Sequence, residues 1–267
     1  MQILKESVRK NSSAFMQGYL RPADVETNNF KHPAIVIIPG GSYTHIPMVQ
    51  AESIALNYSA KGYQSFFLRY TFEQEAKPLL PNPLIELANT IKLIRKNAQK
   101  WNIDPDRIVI SGFSIGGQIA SLYNDFYDSK WLMDKVSIND SNILKPNAVI
   151  LNYPVTDLTL GFPDDKKRVN NWIDDKCELN AAEHVTDTNV PTFIWHTADD
   201  PAVPVTNSLN YSLELNQHNI DNELHIFHHG PHGMALANYV TAWKDDANNS
   251  HVAKWFDLAN DWLKEIL

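Results

Sequence analysis

Three short segments carry residue types suited to acyl transfer. Gly112-Phe113-Ser114-Ile115-Gly116-Gly117 sets a serine among glycines. Thr197-Ala198-Asp199-Asp200-Pro201-Ala202-Val203-Pro204 offers two adjacent carboxylates, and His228-His229-Gly230-Pro231-His232-Gly233 offers three imidazoles. A serine hydroxyl needs a base to take its proton, and an imidazole base needs an acid to fix its tautomer. Ser114 is therefore the candidate nucleophile and His232, flanked by Pro and Gly, the candidate base; His228 and His229 read as strand-end histidines. Asp199 and Asp200 compete for the acid, since an Asp beside Pro also makes a turn. A developing oxyanion needs N–H donors. Pro39-Gly40-Gly41-Ser42-Tyr43 can present the N–H of Gly41 or Ser42, with that of Ile115 as a second donor.

These groups need elements to hold them. The runs Ala34 to Ile38, Tyr63 to Tyr70, Arg107 to Ser111, Ala148 to Tyr153, Thr192 to His196 and Leu224 to His228 are β-rich and nearly continuously apolar. That is the pattern of strands covered on both faces. Between them lie helical stretches: Val49 to Lys61, Leu84 to Trp101, Ser114 to Tyr127, Asn207 to Gln217 and Val252 to Ile266. In the second, Leu84, Leu87, Ile91 and Ile94 form one apolar stripe. The alternation specifies an α/β fold, a mostly parallel sheet with helices on both faces, and Ser13 to Leu20 adds an antiparallel strand. Ser114 then sits on a sharp strand-to-helix turn, which exposes its hydroxyl and puts helix N–H groups behind it. The acid and base segments each follow a strand, in the chain order Ser, acid, His, and strand C-terminal ends face the crevice where such sheets bind ligands.

Composition narrows the class. A chain of 267 residues suits a single domain, 1–267, with residues Asp157 to Asp187 either a cap or a long surface connection. The net charge of -8 argues against a nucleic-acid partner. One cysteine, Cys177, allows no internal disulfide and suits a reducing cytoplasm. Met1 to Met16 has no signal-peptide pattern, and no apolar run is long enough for a membrane span. The expected partner is a small ester; homo-oligomerisation is left open.

The segments PGGSY, FFLRY, IDPDRIVISGFSIGG, TADDPAVPV and HHGPHGMAL resemble the α/β-hydrolase family of bacterial carbohydrate acetyl esterases. The resemblance runs from about Tyr19 to the end and is weakest over Asp157 to Asp187. It implies an α/β-hydrolase fold and cofactor-free hydrolysis of short acyl esters, often acetyl groups on sugars. It places the acid four residues before the Pro of a D-x-x-V-P-like stretch, which selects Asp200. Two departures stand out: PGGSY replaces the HGGG of lipase-like relatives, and Thr197 stands where many relatives have Gly. The rival readings are metal-dependent deacetylation by His196, Asp199, Asp200, His228, His229 and His232, and a non-catalytic binder on the same fold. The first lacks a ligand motif such as HExxH, and the second has no need of an ordered Ser, acid and His.

Overall fold

The β-branched runs pair into one eight-stranded sheet in the computed structural model, which describes residues 1–23 and 31–267. In chain order the strands are β1 (Gln2–Ser7), β2 (Phe15–Leu20), β3 (His32–Ile38), β4 (Gln64–Arg69), β5 (Ile103–Phe113), β6 (Ala148–Asn152), β7 (Thr192–Thr197) and β8 (Asn222–Phe227). Their spatial order is β1-β2-β4-β3-β5-β6-β7-β8. Strand β2 runs antiparallel to both neighbours, and β4 through β8 pair in parallel. The first, antiparallel part is a hairpin, which needs only a short connection. Each parallel step needs a crossover, and the helices supply most of them.

The helices are α1 (Met48–Ala60), α2 (Asn82–Lys96), α3 (Ile115–Phe126), α4 (Lys130–Lys135), α5 (Lys166–Trp172), α6 (Thr206–Gln217) and α7 (Trp255–Ile266). Helices α1 and α7 share one face, where Tyr58 meets Phe256 edge-on; α2, α3 and α6 pack on the other. Strands β3 and β6, and β5 from Ile108 onward, are covered on both sides and almost wholly buried, as their unbroken apolarity requires. The stripe Leu84, Leu87, Ile91 and Ile94 is fully buried on α2.

Several boundaries differ from the sequence reading. Helix α2 stops at Lys96 rather than Trp101: Asn97 caps it, and Asn102 takes a positive φ of 53° that no helix continues through. Strand β5 begins at Ile103, ahead of Arg107, because its first residues pair with His32. The segment from Val252 opens as a 3₁₀ turn and becomes α-helical only at Trp255. Strand β1 was not anticipated. Its side chains are largely exposed, so pairing with β2, rather than an apolar pattern, defines it. The short helices α4 and α5 were not anticipated either.

Candidate active site

Ser114 lies between β5 and α3 with φ 54° and ψ −121°, a conformation a non-glycine residue holds only under constraint. Close packing around the turn supplies the constraint. A Cβ on Gly116 would collide with the carbonyl oxygen of Ile38, and one on Gly112 would lie 2.5 Å from the oxygen of Gly116. The Ser114 N–H donates to Asn152 O at 3.0 Å, and its carbonyl accepts from Gly117 N and Val155 N at 2.8 and 3.0 Å. The backbone is thereby fixed, and the hydroxyl projects past the end of the sheet.

Ser114 Oγ lies 2.7 Å from His232 Nε2, and His232 Nδ1 lies 2.7 Å from Asp200 Oδ2. A carboxylate can only accept, so Nδ1 carries the proton and Nε2 is left free to accept from the serine hydroxyl. The loop after β8 presents His232, whose ring meets Tyr153 edge-on at 5.0 Å. The loop after β7 presents Asp200, whose side chain is fully buried. Its Oδ1 accepts from the N–H groups of Ala202 and Val203 at 2.8 and 2.9 Å. His196 Nε2 stands 3.3 Å from Oδ2 and 3.0 Å from Val203 O, while its Nδ1 faces Ser208 Oγ at 2.8 Å. Burial alone would push the Asp200 carboxyl up; hydrogen bonds from His196, His232 and the backbone outweigh it and hold the group well below the usual carboxylate range. Asp200 is therefore ionised at neutral pH.

The neighbouring candidates go elsewhere. Asp199 turns outward, pairing with His229 Nδ1 at 2.8 Å and accepting from Gly230 N at 3.0 Å. The His228 ring lies 3.7 Å from that of His229. Asp200 thus joins His196 and His232 while Asp199 joins His229, and among the described residues no group of three or more His, Cys, Asp or Glu side chains is arranged to hold a metal ion. His196 had no separate role in the sequence reading. The signal that would have found it is its position at a strand end, four residues before the acid.

The loop Pro39 to Tyr43 follows β3, and its residues Pro39 to Ser42, with Ser114 and His232, line a cavity of about 440 Å³. Among the described residues, the N–H groups of Gly41, Ser42 and Ile115 donate to no protein acceptor. Segment 157–187 runs along the flank of this cavity. Phe162 reaches its wall, and α5 packs below the loop, where Trp172 meets Tyr43 edge-on at 5.0 Å. The charged residues Lys166, Lys167 and Asp174 face solvent. No helix among the described residues is long and apolar enough to cross a membrane.

The BD-FAE family matches residues 22–215, well over half of the chain. Endo-1,4-beta-xylanase B of Butyrivibrio fibrisolvens is 30% identical over 232 residues, covering 83% of this chain. The chain spans only 36% of that relative's length. The crystal structure of the carboxylesterase Cest-2923 from Lactobacillus plantarum WCFS1 matches with a TM-score of 0.92 at 31% identity, covering 99% of this chain and 98% of that one. An acetyl ester-xyloside bifunctional hydrolase from Caldicellulosiruptor lactoaceticus matches with a TM-score of 0.80 at 29% identity, covering 98% and 96%. The chain thus groups with carboxylic ester hydrolases.

Proposed function

The chain belongs to the BD-FAE family of α/β hydrolases, and from that premise we propose that it is a serine-dependent hydrolase of short-chain acyl esters, with acetylated sugars as its substrate class. The carrying observation is the relay Ser114–His232–Asp200, two contacts of 2.7 Å each at the mouth of one cavity. In this scheme Ser114 Oγ attacks the ester carbonyl carbon as its proton passes to His232 Nε2. The carbonyl electrons move onto oxygen, held by the N–H of Ile115 and of Gly41 or Ser42. Collapse of this intermediate expels the alcohol, which takes the proton from His232. Water then attacks the acyl-serine with His232 again as base, releasing the carboxylic acid and restoring the hydroxyl. Asp200 stays ionised throughout and favours the imidazolium each time it forms. The scheme calls on no cofactor.

Phe113, Ile54 and Phe162 line the cavity beside Ser114, and in this reading they limit the acyl group to a short chain. Support for a sugar alcohol comes from two sources: the carbohydrate esterase resemblance, and a half-exposed rim that includes His45 and Trp243. The Caldicellulosiruptor neighbour, an acetyl ester-xyloside bifunctional hydrolase matched over 96% of its chain, adds support for acetyl-ester chemistry. A panel of aryl esters from acetate to decanoate, run beside acetylated xylosides, tests the reading. Each buried methylene contributes about 0.8 kcal/mol, so an open acyl groove would make kcat/KM climb with chain length. The expected profile peaks between acetate and butyrate; a maximum at octanoate or longer refutes the acyl assignment. Fluorophosphonate labelling that survives in Ser114→Ala would refute the nucleophile.

A further inference from the structure

The loop after β3 is strained at three consecutive residues: φ is 119° at Gly41, 56° at Ser42 and 60° at Tyr43. Glycine tolerates such values, and a Cβ at position 41 would strike the carbonyl of His45. Ser42 and Tyr43 hold them only because their surroundings insist. Carbonyl by carbonyl, each peptide of the loop is pinned. Tyr70 Oη donates to Pro39 O at 2.8 Å and to Gly40 O at 3.4 Å. Thr44 donates to Gly41 O twice, from N at 3.0 Å and from Oγ1 at 2.9 Å. Glu73 N donates to Tyr43 O at 2.9 Å. A trans peptide is planar, so fixing a carbonyl fixes the N–H on its opposite side. These pins therefore aim the N–H groups of Gly41, Ser42 and Tyr43, on a loop that lines the cavity beside Ser114.

One pin comes from far along the chain. Arg168 Nη2, on α5, donates to Ser42 O at 3.2 Å, and Ser42 O has no other donor among the described residues. The guanidinium is itself aimed by a two-point pair with Glu73, Nε to Oε2 at 2.9 Å and Nη2 to Oε1 at 3.0 Å. Trp172 Nε1 steadies the same carboxylate at 2.5 Å, and Trp172 packs on the Tyr43 ring. Glu73 thus holds two consecutive carbonyls of the loop, Tyr43 O through its backbone N–H and Ser42 O through its carboxylate and Arg168. Segment 157–187 acts here as a brace rather than a lid.

We infer that Arg168 and Glu73 are positioning residues for the oxyanion donors, an inference that rests on the oxyanion role proposed above for this loop. The brace touches no reacting atom. It fixes the Ser42–Tyr43 peptide, which follows the Gly41–Ser42 peptide directly, and so holds the strained Ser42 torsions that aim the Ser42 N–H; that donor geometry matters more for the tetrahedral intermediate than for the bound ester. A merely structural salt bridge would anchor α5 and leave the chemical step alone.

Arg168→Ala separates the two. Assayed on an aryl acetate, kcat should fall on the order of 10- to 100-fold while KM stays within about twofold. The inhibition constant of phenylboronic acid, which forms a tetrahedral adduct on the serine, should rise by a similar factor. Arg168→Lys should lie between, since an ammonium cannot bridge the carboxylate and the carbonyl with a planar fork. A kcat within about threefold of the parent in folded Arg168→Ala overturns the inference, as does a rise in KM with kcat kept. If Arg168→Ala does not fold, Glu73→Gln carries the same criterion: lower kcat at constant KM supports the brace, and unchanged kcat overturns it. Ser114→Ala runs alongside. Should it stay active, the acyl-enzyme reading itself fails; should it be inactive while Arg168→Ala keeps full turnover, only the brace fails.

Discussion

Two Asp–His pairs lie side by side on the same two loops. Asp200 meets His232 at 2.7 Å and Asp199 meets His229 at 2.8 Å, so pair geometry hardly distinguishes them. Their surroundings do. Asp200 is fully buried, held by two backbone N–H groups and by His196, and its histidine reaches Ser114. In the outer pair, the side chains of Asp199 and His229 are 52% and 67% exposed, and water screens their attraction. Both carboxyls sit below their usual range, Asp199 through the Gly230 N–H and His229. A depressed carboxyl is therefore no mark of catalysis. What sets the inner pair apart is a buried frame with the Ser114 hydroxyl at its far end.

The sharpest way to break the comparison is to take the charge from each pair in turn. Asp200→Asn should cost on the order of 10⁴ in kcat, because an amide beside Nδ1 no longer selects the tautomer that leaves Nε2 free. Steady-state kinetics on an aryl acetate measure it. A loss of less than about tenfold in a folded protein would show that the inner pair does not drive the serine.

The sequence carried enough to place Ser114 and His232, since a glycine-flanked serine between a buried strand and a helix is a local pattern. It could not by itself separate Asp199 from Asp200. Neighbouring residues on a loop point different ways according to backbone torsions that long-range packing decides, and only the family spacing picked Asp200, the one whose carboxylate meets His232. The parallel core was legible because doubly covered strands are apolar throughout. Strand β1 was not, because an exposed edge strand needs no apolar pattern. The link from Arg168 to Glu73 spans 95 residues and joins two surface-type side chains, so nothing local announces it. Segment 157–187 looked like a cap or a plain connection for the same reason: its charges are visible in sequence, but their partners are not.

A second test acts on the frame rather than the pair. His196→Phe removes a buried donor to Asp200 and strands Ser208 Oγ and Val203 O. Denaturant unfolding should show a loss of about 1.5–3 kcal/mol, the range for a hydrogen bond to a charged group. Turnover should fall far less than in Asp200→Asn, since His232, Ala202 and Val203 still hold the carboxylate. Unchanged stability would mean that the 3.3 Å contact contributes nothing.

pH provides a subtler separation. A carboxyl held below its unfolded value favours the folded state once ionised, so its contribution is present above about pH 3.9 and drains away as pH falls below it. Asn at position 200 has no such proton. The stability gap between parent and Asp200→Asn should accordingly be widest near neutrality and narrow in acid, as urea melts at several pH values would show. A gap independent of pH would contradict the depressed Asp200 carboxyl.

The smallest effect belongs to the outer pair. Asp199→Asn keeps an oxygen that can accept from Gly230 N and removes only a charge that water already screens. Its kcat/KM should stay within about twofold of the parent, and raising the salt concentration should erase even that difference. The reason is geometric: the carboxylate of Asp199 contacts His229 and Gly230, neither of which reaches Ser114, so the charge acts on the relay only through solvent. Parallel kinetics at low and high ionic strength decide the point. A salt-resistant drop of tenfold or more would show that the outer pair supports the inner one through the shared loops, and the contrast between buried and exposed pairs would lose its meaning.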